Sequence, residues 1–295
     1  MSVDAADFAL VAKVVYERSG IALDVGKEYL VEARLTTLAR RERLGSFAAV
    51  TRQLRADPTG PLTAKIVEAM TTNETLWFRD GRPFDVLKSH VLPATIAARA
   101  VDRKLVVWSA AASTGQEAYS IAMVLKENFP ELAEWRVQIL GSDISNEVLE
   151  RAGQGRYSQL EVGRGLPDAL RKKYFARDGS GWRVNAELRD IVQFTTFNLV
   201  ADVWPLVPTP DIVFLRNVMI YFDNATRRAI LKRLAAVMAL DGYLFLGVGE
   251  TIVNLDDSWV RVDVGQAHFF RRAPAPVRTR GKDDLWNRRS TTSSQ

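Results

Sequence analysis

From Leu105 to Leu246 short apolar runs take turns with stretches of helical periodicity, and few folds accommodate that rhythm. Leu105-Val-Val-Trp108, Val137-Gln-Ile-Leu140, Ile191–Phe197, Asp211-Ile-Val-Phe-Leu215 and Gly242-Tyr-Leu-Phe-Leu246 read as buried strands. Helical segments fall between them, the clearest at Glu117–Asn128 and Asn224–Leu240. Strands that alternate with helices imply a mainly parallel sheet covered by helices on both faces. Ligands of such sheets bind at the carboxyl ends of the strands, where the strand order reverses. The turns after the strands are therefore the first place to look for chemistry.

The first 70 residues follow a different period. Phe8, Leu10, Val11, Val14 and Val15 recur at helical spacing, and Gly20 supplies a stop. A second helix is expected over Lys27–Arg43, a third from Ser46 through Leu54, and a fourth over Leu62–Met70. A longer interruption, 153–190, separates the second and third strands. Its glycines, its helical piece Asp168–Tyr174 and its run Gly181-Trp-Arg-Val-Asn185 are expected to form an inserted hairpin or small subdomain. The end of the chain, with Pro274, Pro276, several arginines and a Ser/Thr-rich close, reads as a disordered basic tail.

Composition removes several chemistries. Cysteine is absent, so disulfides, thiolate nucleophiles and cysteine–zinc sites are excluded. His90 and His268 are the only histidines, which leaves little for a metal site or a histidine-based triad, and no metal is expected. The net charge of +5 invites a nucleic-acid reading, but its location argues against one. Of 40 basic and 35 acidic residues, seven basic and two acidic stand between Arg271 and Gln295, which leaves 33 of each before them. A basic tail on a neutral body is not a phosphate-gripping surface, and no stripe of aromatic and basic residues runs along the body. No apolar run approaches the roughly 20 residues needed to span a bilayer, and the N-terminus lacks a signal-peptide pattern. A cytoplasmic location is expected.

Four segments could carry chemistry. Ala110-Ala-Ala-Ser-Thr-Gly115-Gln-Glu117 follows the first strand and lacks the three spaced glycines of a dinucleotide fingerprint. Its small residues allow a ligand without bridging phosphates to approach the backbone; the alternative is a tight turn with no ligand. Asp143, at the end of the second strand, could accept hydrogen bonds from ribose hydroxyls or cap the following helix. Met70–Arg79 gathers amides, hydroxyls, aromatics and an arginine where the helical unit meets the sheet, a favoured place for pockets. Arg216-Asn217 ends an apolar strand, where a buried arginine would need partners unless it snorkels to solvent.

Taken in order, these segments resemble the CheR-type chemotaxis receptor methyltransferases. The matching stretches are Thr71-Thr-Asn-Glu-Thr-Leu-Trp-Phe-Arg79, Val107–Gly115 with Ala118-Tyr-Ser-Ile-Ala122, Asp143-Ile-Ser, and Arg216-Asn-Val-Met-Ile-Tyr-Phe-Asp223. The resemblance extends to about Arg272. It implies an α/β protein: a small all-helical N-terminal domain over 1–70, able to dock a receptor, and a Rossmann-like methyltransferase domain over 71–272. The latter would bind S-adenosylmethionine and carry a β-subdomain insertion at about 153–190, with the tail at 273–295. Asn73, Thr75 and Arg79 would line the cofactor pocket from the junction. Glu117 would contact the cofactor, Asp143 the ribose, and Asn198 and Leu199 the adenine. Leu215, Arg216 and Asn217 would close the methionine side, with Arg79, Arg216 and Tyr221 nearest the methyl transfer. The turn departs from the family's usual two acidic residues and proline, since Gln116 and Ala118 flank Glu117.

The implied reaction moves a methyl group from S-adenosylmethionine to glutamate side chains on the cytoplasmic helical bundle of a chemotaxis receptor. It would be carried out by a monomer that enters no membrane and binds no nucleic acid. Glutamate is ionised at neutral pH, so no strong base is needed, in keeping with a chain so poor in thiols and imidazoles. Arg34, Arg40, Arg41 and Arg43 could form a docking face for acidic helices or simply a solvated basic face. The alternative function is a scaffold or sensor that binds S-adenosylmethionine or S-adenosylhomocysteine without catalysis.

Overall fold

The computed structural model describes residues 4–204 and 208–273. The expected tail from Pro274 onward lies outside the described residues. Four helices come first: α1 (Ala5–Ser19), α2 (Glu28–Arg41), α3 (Phe47–Ala56) and α4 (Pro61–Met70). Their ends follow the local chemistry. Asp4 and Ser46 cap α1 and α3 with their side chains, Pro61 occupies the first turn of α4, and Gly20 ends α1 in the left-handed conformation at φ 71°. Phe8, Val11, Val15, Val31, Leu35, Leu54 and Ile66 pack into a core belonging to these helices alone. A coil over 71–76 leads to α5 (Arg82–Val86), one π-helical turn at Leu87–Val91, and α6 (Leu92–Ala98).

The sheet domain continues as β1 (Lys104–Ala110), α7 (Gln116–Asn128), β2 (Arg136–Asp143) and α8 (Asn146–Gln154). The insertion follows: β3 (Arg156–Tyr157), α9 (Gln159–Val162), α10 (Asp168–Tyr174), β4 (Phe175–Asp178), β5 (Gly181–Val184) and α11 (Ala186–Arg189). Its three strands form a separate antiparallel sheet in the order β3-β5-β4. The main sheet resumes with β6 (Val192–Thr196), β7 (Ile212–Leu215), α12 (Asn224–Val237), β8 (Tyr243–Leu246), β9 (Trp259–Val264) and β10 (Ala267–Arg272). Seven strands lie in the order β6-β2-β1-β7-β8-β10-β9. The first five are mutually parallel, and β10 is antiparallel to both of its neighbours.

Because β1 is buried on both faces, it reads as a continuous apolar run. Leu105 and Val107 point into the core shared with α5–α7, while Val106, Trp108 and Ala110 point into the core beneath α12. The chain leaves β1 toward β2 on one side, and β7 lies on the other. The reversal of strand order therefore falls at the carboxyl end of β1, which places the site. No helix among the described residues is long and apolar enough to cross a membrane.

Candidate active site

A cleft opens at the carboxyl ends of β1, β2 and β7. Three parts of the chain wall it: the coil from Thr71 through Arg79, the turns after the strands, and the end of α1 with Ser19 and Ile21. Asn73, Thr75, Arg79, Glu117, Asp143, Asn198, Leu199, Arg216, Asn217 and Tyr221 all line it. Leu215 does not. It is 1% exposed and packs with Val213 and Leu246 beneath α12, because the residue before it and the residue after it face the other way on the strand.

Asp143 joins two strand-end turns. One carboxylate oxygen accepts from the Ser113 amide at 2.9 Å and the other from the Ser145 amide at 3.1 Å. The helix that follows is capped by Ser145, whose hydroxyl accepts from the Val148 amide, so Asp143 is not the cap. Burial pushes the Asp143 carboxyl above the ordinary carboxylate range, against the pull of the Ser145, Ser113 and Ile144 amides, and the charge of Glu68 pushes it the same way as burial. Three amides on two oxygens still leave acceptor capacity for a ligand's hydroxyls.

Arg216 does not snorkel. Its side chain is 1% exposed and makes ion pairs with Glu117 at 2.8 Å and Asp80 at 2.6 Å. It also donates to the Arg79 carbonyl at 2.9 Å. Glu117 is held from its other oxygen by the Ser109 hydroxyl at 2.8 Å. One cation thus sits between two carboxylates, and the buried Nε of Arg216 has no hydrogen-bond partner among the described residues. Arg79 is in the opposite situation: among the described residues its guanidinium donates only to the Glu74 carbonyl, at 3.1 Å.

Backbone strain collects here. Ala111 (φ 64°), Ser113 (φ 51°) and Asn217 (φ 59°) line the cleft in the left-handed region, and Phe78 (φ 48°) and Asp80 (φ 69°) flank Arg79. Such residues cost on the order of 1–3 kcal/mol each and persist where surrounding contacts impose them. Gly115 serves packing rather than ligand approach. It is absent from the lining, stands at φ 91°, and a Cβ there would come within 3.0 Å of Ala152 and Phe194.

Several wall residues were not singled out by the sequence. Ser113 donates its hydroxyl to the Asn73 carbonyl at 2.7 Å, tying the junction coil to the first turn; its place in the small-residue run was the available signal. Ser19 and Ile21 reach the cleft because Ile21 bridges Phe222, the Ala22 amide donates to the Tyr221 carbonyl, and Asn198 donates to the Arg18 carbonyl. No local signal marks contacts between residues so distant in the chain.

The donor set fits S-adenosylmethionine. Asp143 can accept from vicinal hydroxyls, Phe197 and Leu199 offer apolar surface on either side of Asn198, and Asn73 and Asn217 supply amides. Three carboxylates (Glu74, Glu117, Asp143) against two arginines give the lining an excess negative charge, which suits a sulfonium amino acid.

Comparison with known proteins agrees with this architecture. Residues 6–71 match the family model described as the CheR methyltransferase all-alpha domain, and residues 73–266 match the CheR methyltransferase SAM binding domain. Chemotaxis protein methyltransferase 1 of Pseudomonas aeruginosa is 40% identical over 276 residues, covering 92% of this chain and 99% of that protein. Chemotaxis protein methyltransferase Cher2 of Pseudomonas putida is 39% identical with the same coverage. The chemotaxis protein methyltransferase of Escherichia coli is 37% identical over 257 residues, 85% of this chain and 86% of its own. With both of its structural units matched in order and its relatives aligned almost end to end, this chain belongs to the CheR methyltransferase family.

Proposed function

We propose that this chain transfers the methyl group of S-adenosylmethionine to glutamate side-chain carboxylates of a chemotaxis receptor. The observation that carries this reading is the contrast between the two arginines of the cleft. Arg216 is committed to Glu117 and Asp80, whereas Arg79 has guanidinium donors left for an incoming carboxylate. Bound S-adenosylmethionine would supply an electrophilic methyl group. Asp143 would hold the ribose, Asn198 and Leu199 the adenine, Asn217 the amino-acid end, and Arg79 with Tyr221 the substrate carboxylate. The acceptor is ionised already, so the residues need only bind, orient and exclude water, and orientation alone is worth roughly 7–11 kcal/mol of a barrier.

The basic face on α2 is smaller than the sequence implies. Arg34 donates to the Ala69 and Thr71 carbonyls and to the Thr72 hydroxyl, and Arg41 pairs with Glu147 at 2.7 Å. Both serve the junction, which leaves the exposed Arg40 and Arg43 for an acidic receptor helix. Methyl incorporation into receptor-bearing membranes tests the whole reading. Arg79→Ala is expected to lower kcat/KM roughly ten- to a hundred-fold, the worth of a charge-assisted pair, while S-adenosylhomocysteine still binds. Full turnover by Arg79→Ala would remove its role. Wild-type protein that binds S-adenosylhomocysteine but labels no receptor glutamate would overturn the function in favour of the non-catalytic scaffold. Charge reversal of Arg40 and Arg43 that leaves the receptor KM unchanged would remove the docking face.

A further inference from the structure

β7 and β8 run side by side in parallel with Leu215 opposite Leu246, so both strands release the chain at the same edge. After β7 comes Arg216–Phe222, which supplies five residues of the cleft wall. After β8 comes the tight turn Gly247–Glu250. Between the two turns lies the carboxylate of Glu250, 6% exposed. One oxygen accepts from the Asn217 amide and from the Gly247 amide, each at 2.7 Å, and the other from the Ile220 amide at 3.3 Å. Its partners are thus backbone N–H groups from both turns. Glu250 does not line the cleft, so the proposed chemistry makes no direct use of it.

A buried carboxylate is costly unless its hydrogen bonds are met. Here they are met by the segment whose shape the cleft depends on. Asn217 stands at φ 59°, in a left-handed region that is uncommon for residues other than glycine, though asparagine enters it more readily than most. The bond from its amide to Glu250 supports that conformation. The fit is close: a Cβ at Gly247 would lie 2.7 Å from the Asn217 side-chain nitrogen, 2.8 Å from Glu250 Oε2 and 3.0 Å from the Asn217 amide. The same carboxylate holds Ile220, immediately before Tyr221, so both ends of the turn that carries Asn217 and Tyr221 hang from one side chain.

We propose that Glu250 is a positioning residue for methyl transfer, clamping the turn after β7 so that Asn217 and Tyr221 face the cleft in register with Arg216. This rests on the methyl-transfer reading above. In Glu250→Gln an NH₂ group replaces one acceptor oxygen and must face a backbone N–H, so at least one arm of the clamp opens. The test compares Glu250→Gln with wild type and with Leu234→Ala, a core truncation on α12 outside the cleft lining, which sets what loss of stability alone does. The readouts are receptor methylation, calorimetric binding of S-adenosylhomocysteine, and amide hydrogen exchange. The clamp requires that folded Glu250→Gln lose about tenfold or more in kcat with little change in receptor KM, a loss specific to the transition state. Exchange at 216–221 must quicken in the same variant, and Leu234→Ala must keep its kcat. A folded Glu250→Gln with wild-type kcat and wild-type exchange at 216–221 would reduce Glu250 to a structural residue and overturn the proposal. Should wild type methylate nothing, the reaction assigned above fails, and Glu250 is judged by exchange and S-adenosylhomocysteine affinity, where no change from wild type overturns it. Should Glu250→Gln not fold, Glu250→Asp, which keeps the charge but withdraws it by one methylene, is read by the same criteria.

Discussion

Arg216 carries its charge where water does not reach, and its neighbours explain why the fold tolerates it. Glu117 and Asp80 neutralise it, and the Arg79 carbonyl takes a further donor. Removing one member of a buried pair leaves the other charge uncompensated, so Arg216→Ala is expected to destabilise the protein by about 3–5 kcal/mol in urea unfolding. Glu117→Gln in the same background should then cost less than it does alone, and strictly additive losses would show that the pair is not coupled. Asp143 makes a prediction about pH. Its folded-state pKa is raised by burial, so its contribution to stability is greatest at low pH and declines as pH rises from the unfolded to the folded pKa. Ribose hydroxyls need the ionised form, so affinity for S-adenosylhomocysteine should fall on acidification, beginning at a higher pH than an ordinary carboxylate would set. Asp143→Asn should bind more weakly with a flat profile between about pH 4 and 7. Parallel profiles for wild type and Asp143→Asn would mean that Asp143 does not govern binding. At this scale the sequence was informative about which residues matter, because a polar group at the end of an apolar strand stands out. It was silent about their partners: Asp80 lies 136 positions from Arg216 on a loop with no pattern of its own.

Elements whose apolar stripe repeats every 3.6 residues, and the central strands apolar on both faces, were legible: α1 to α4, α7, β1, β2, β7 and β8 fall within a few residues of their expected bounds, as does the edge strand β6, whose Val192 and Phe194 alternate with polar residues. β9 and β10 were missed. They lie at the outer edge of the sheet, where β9 is half exposed and carries Arg261 and Asp263 among its valines. The signal was nonetheless present, since Val260, Val262 and Val264 alternate up to Gly265 (φ 59°) and Gln266, the two-residue loop of a hairpin with Val264 opposite Ala267. α8 entered the sequence reading only as the helix that Asp143 could cap, without bounds of its own. The actual start of α8 depends on another element altogether. Glu68, on α4, accepts from the Ser145 hydroxyl at 2.5 Å and from the Glu147 amide at 3.0 Å, placing a carboxylate at the first turn of α8. Glu68→Ala is expected to cost about 1–2 kcal/mol in thermal or urea unfolding, with Glu68→Gln costing less because an acceptor remains. Removing the charge of Glu68 should also shift the acid edge of S-adenosylhomocysteine binding to lower pH, since that charge helps raise the Asp143 carboxyl. An edge that stays in place would separate the cap from the cleft.

At the scale of the molecule, the cleft exists only where the helical unit meets the sheet. Ser19 and Ile21 form part of its wall, and the link runs through Gly20, the residue that ends α1. A helix stop was legible at Gly20, but its role at the junction was not, because nothing local records what a missing Cβ makes room for. A methyl group at Gly20 would lie 2.6 Å from Val200 Cγ1, 3.1 Å from Thr226 Cγ2 and 3.3 Å from Phe222 Cδ1, all of them on the sheet side. Gly26 provides the control. It too has a positive φ, 97°, yet a Cβ there meets nothing within 4 Å. Both Gly20→Ala and Gly26→Ala therefore bear a left-handed penalty of roughly 1–2 kcal/mol, and only Gly20→Ala also pushes the two units apart. If the units are held together at this seam, Gly26→Ala should lose stability and keep its affinity for S-adenosylhomocysteine, whereas Gly20→Ala should lose more stability and bind the nucleoside several-fold more weakly. Equal affinities in the two variants would show that the wall formed by Ser19 and Ile21 contributes nothing to the ligand, and that the sheet domain holds it alone.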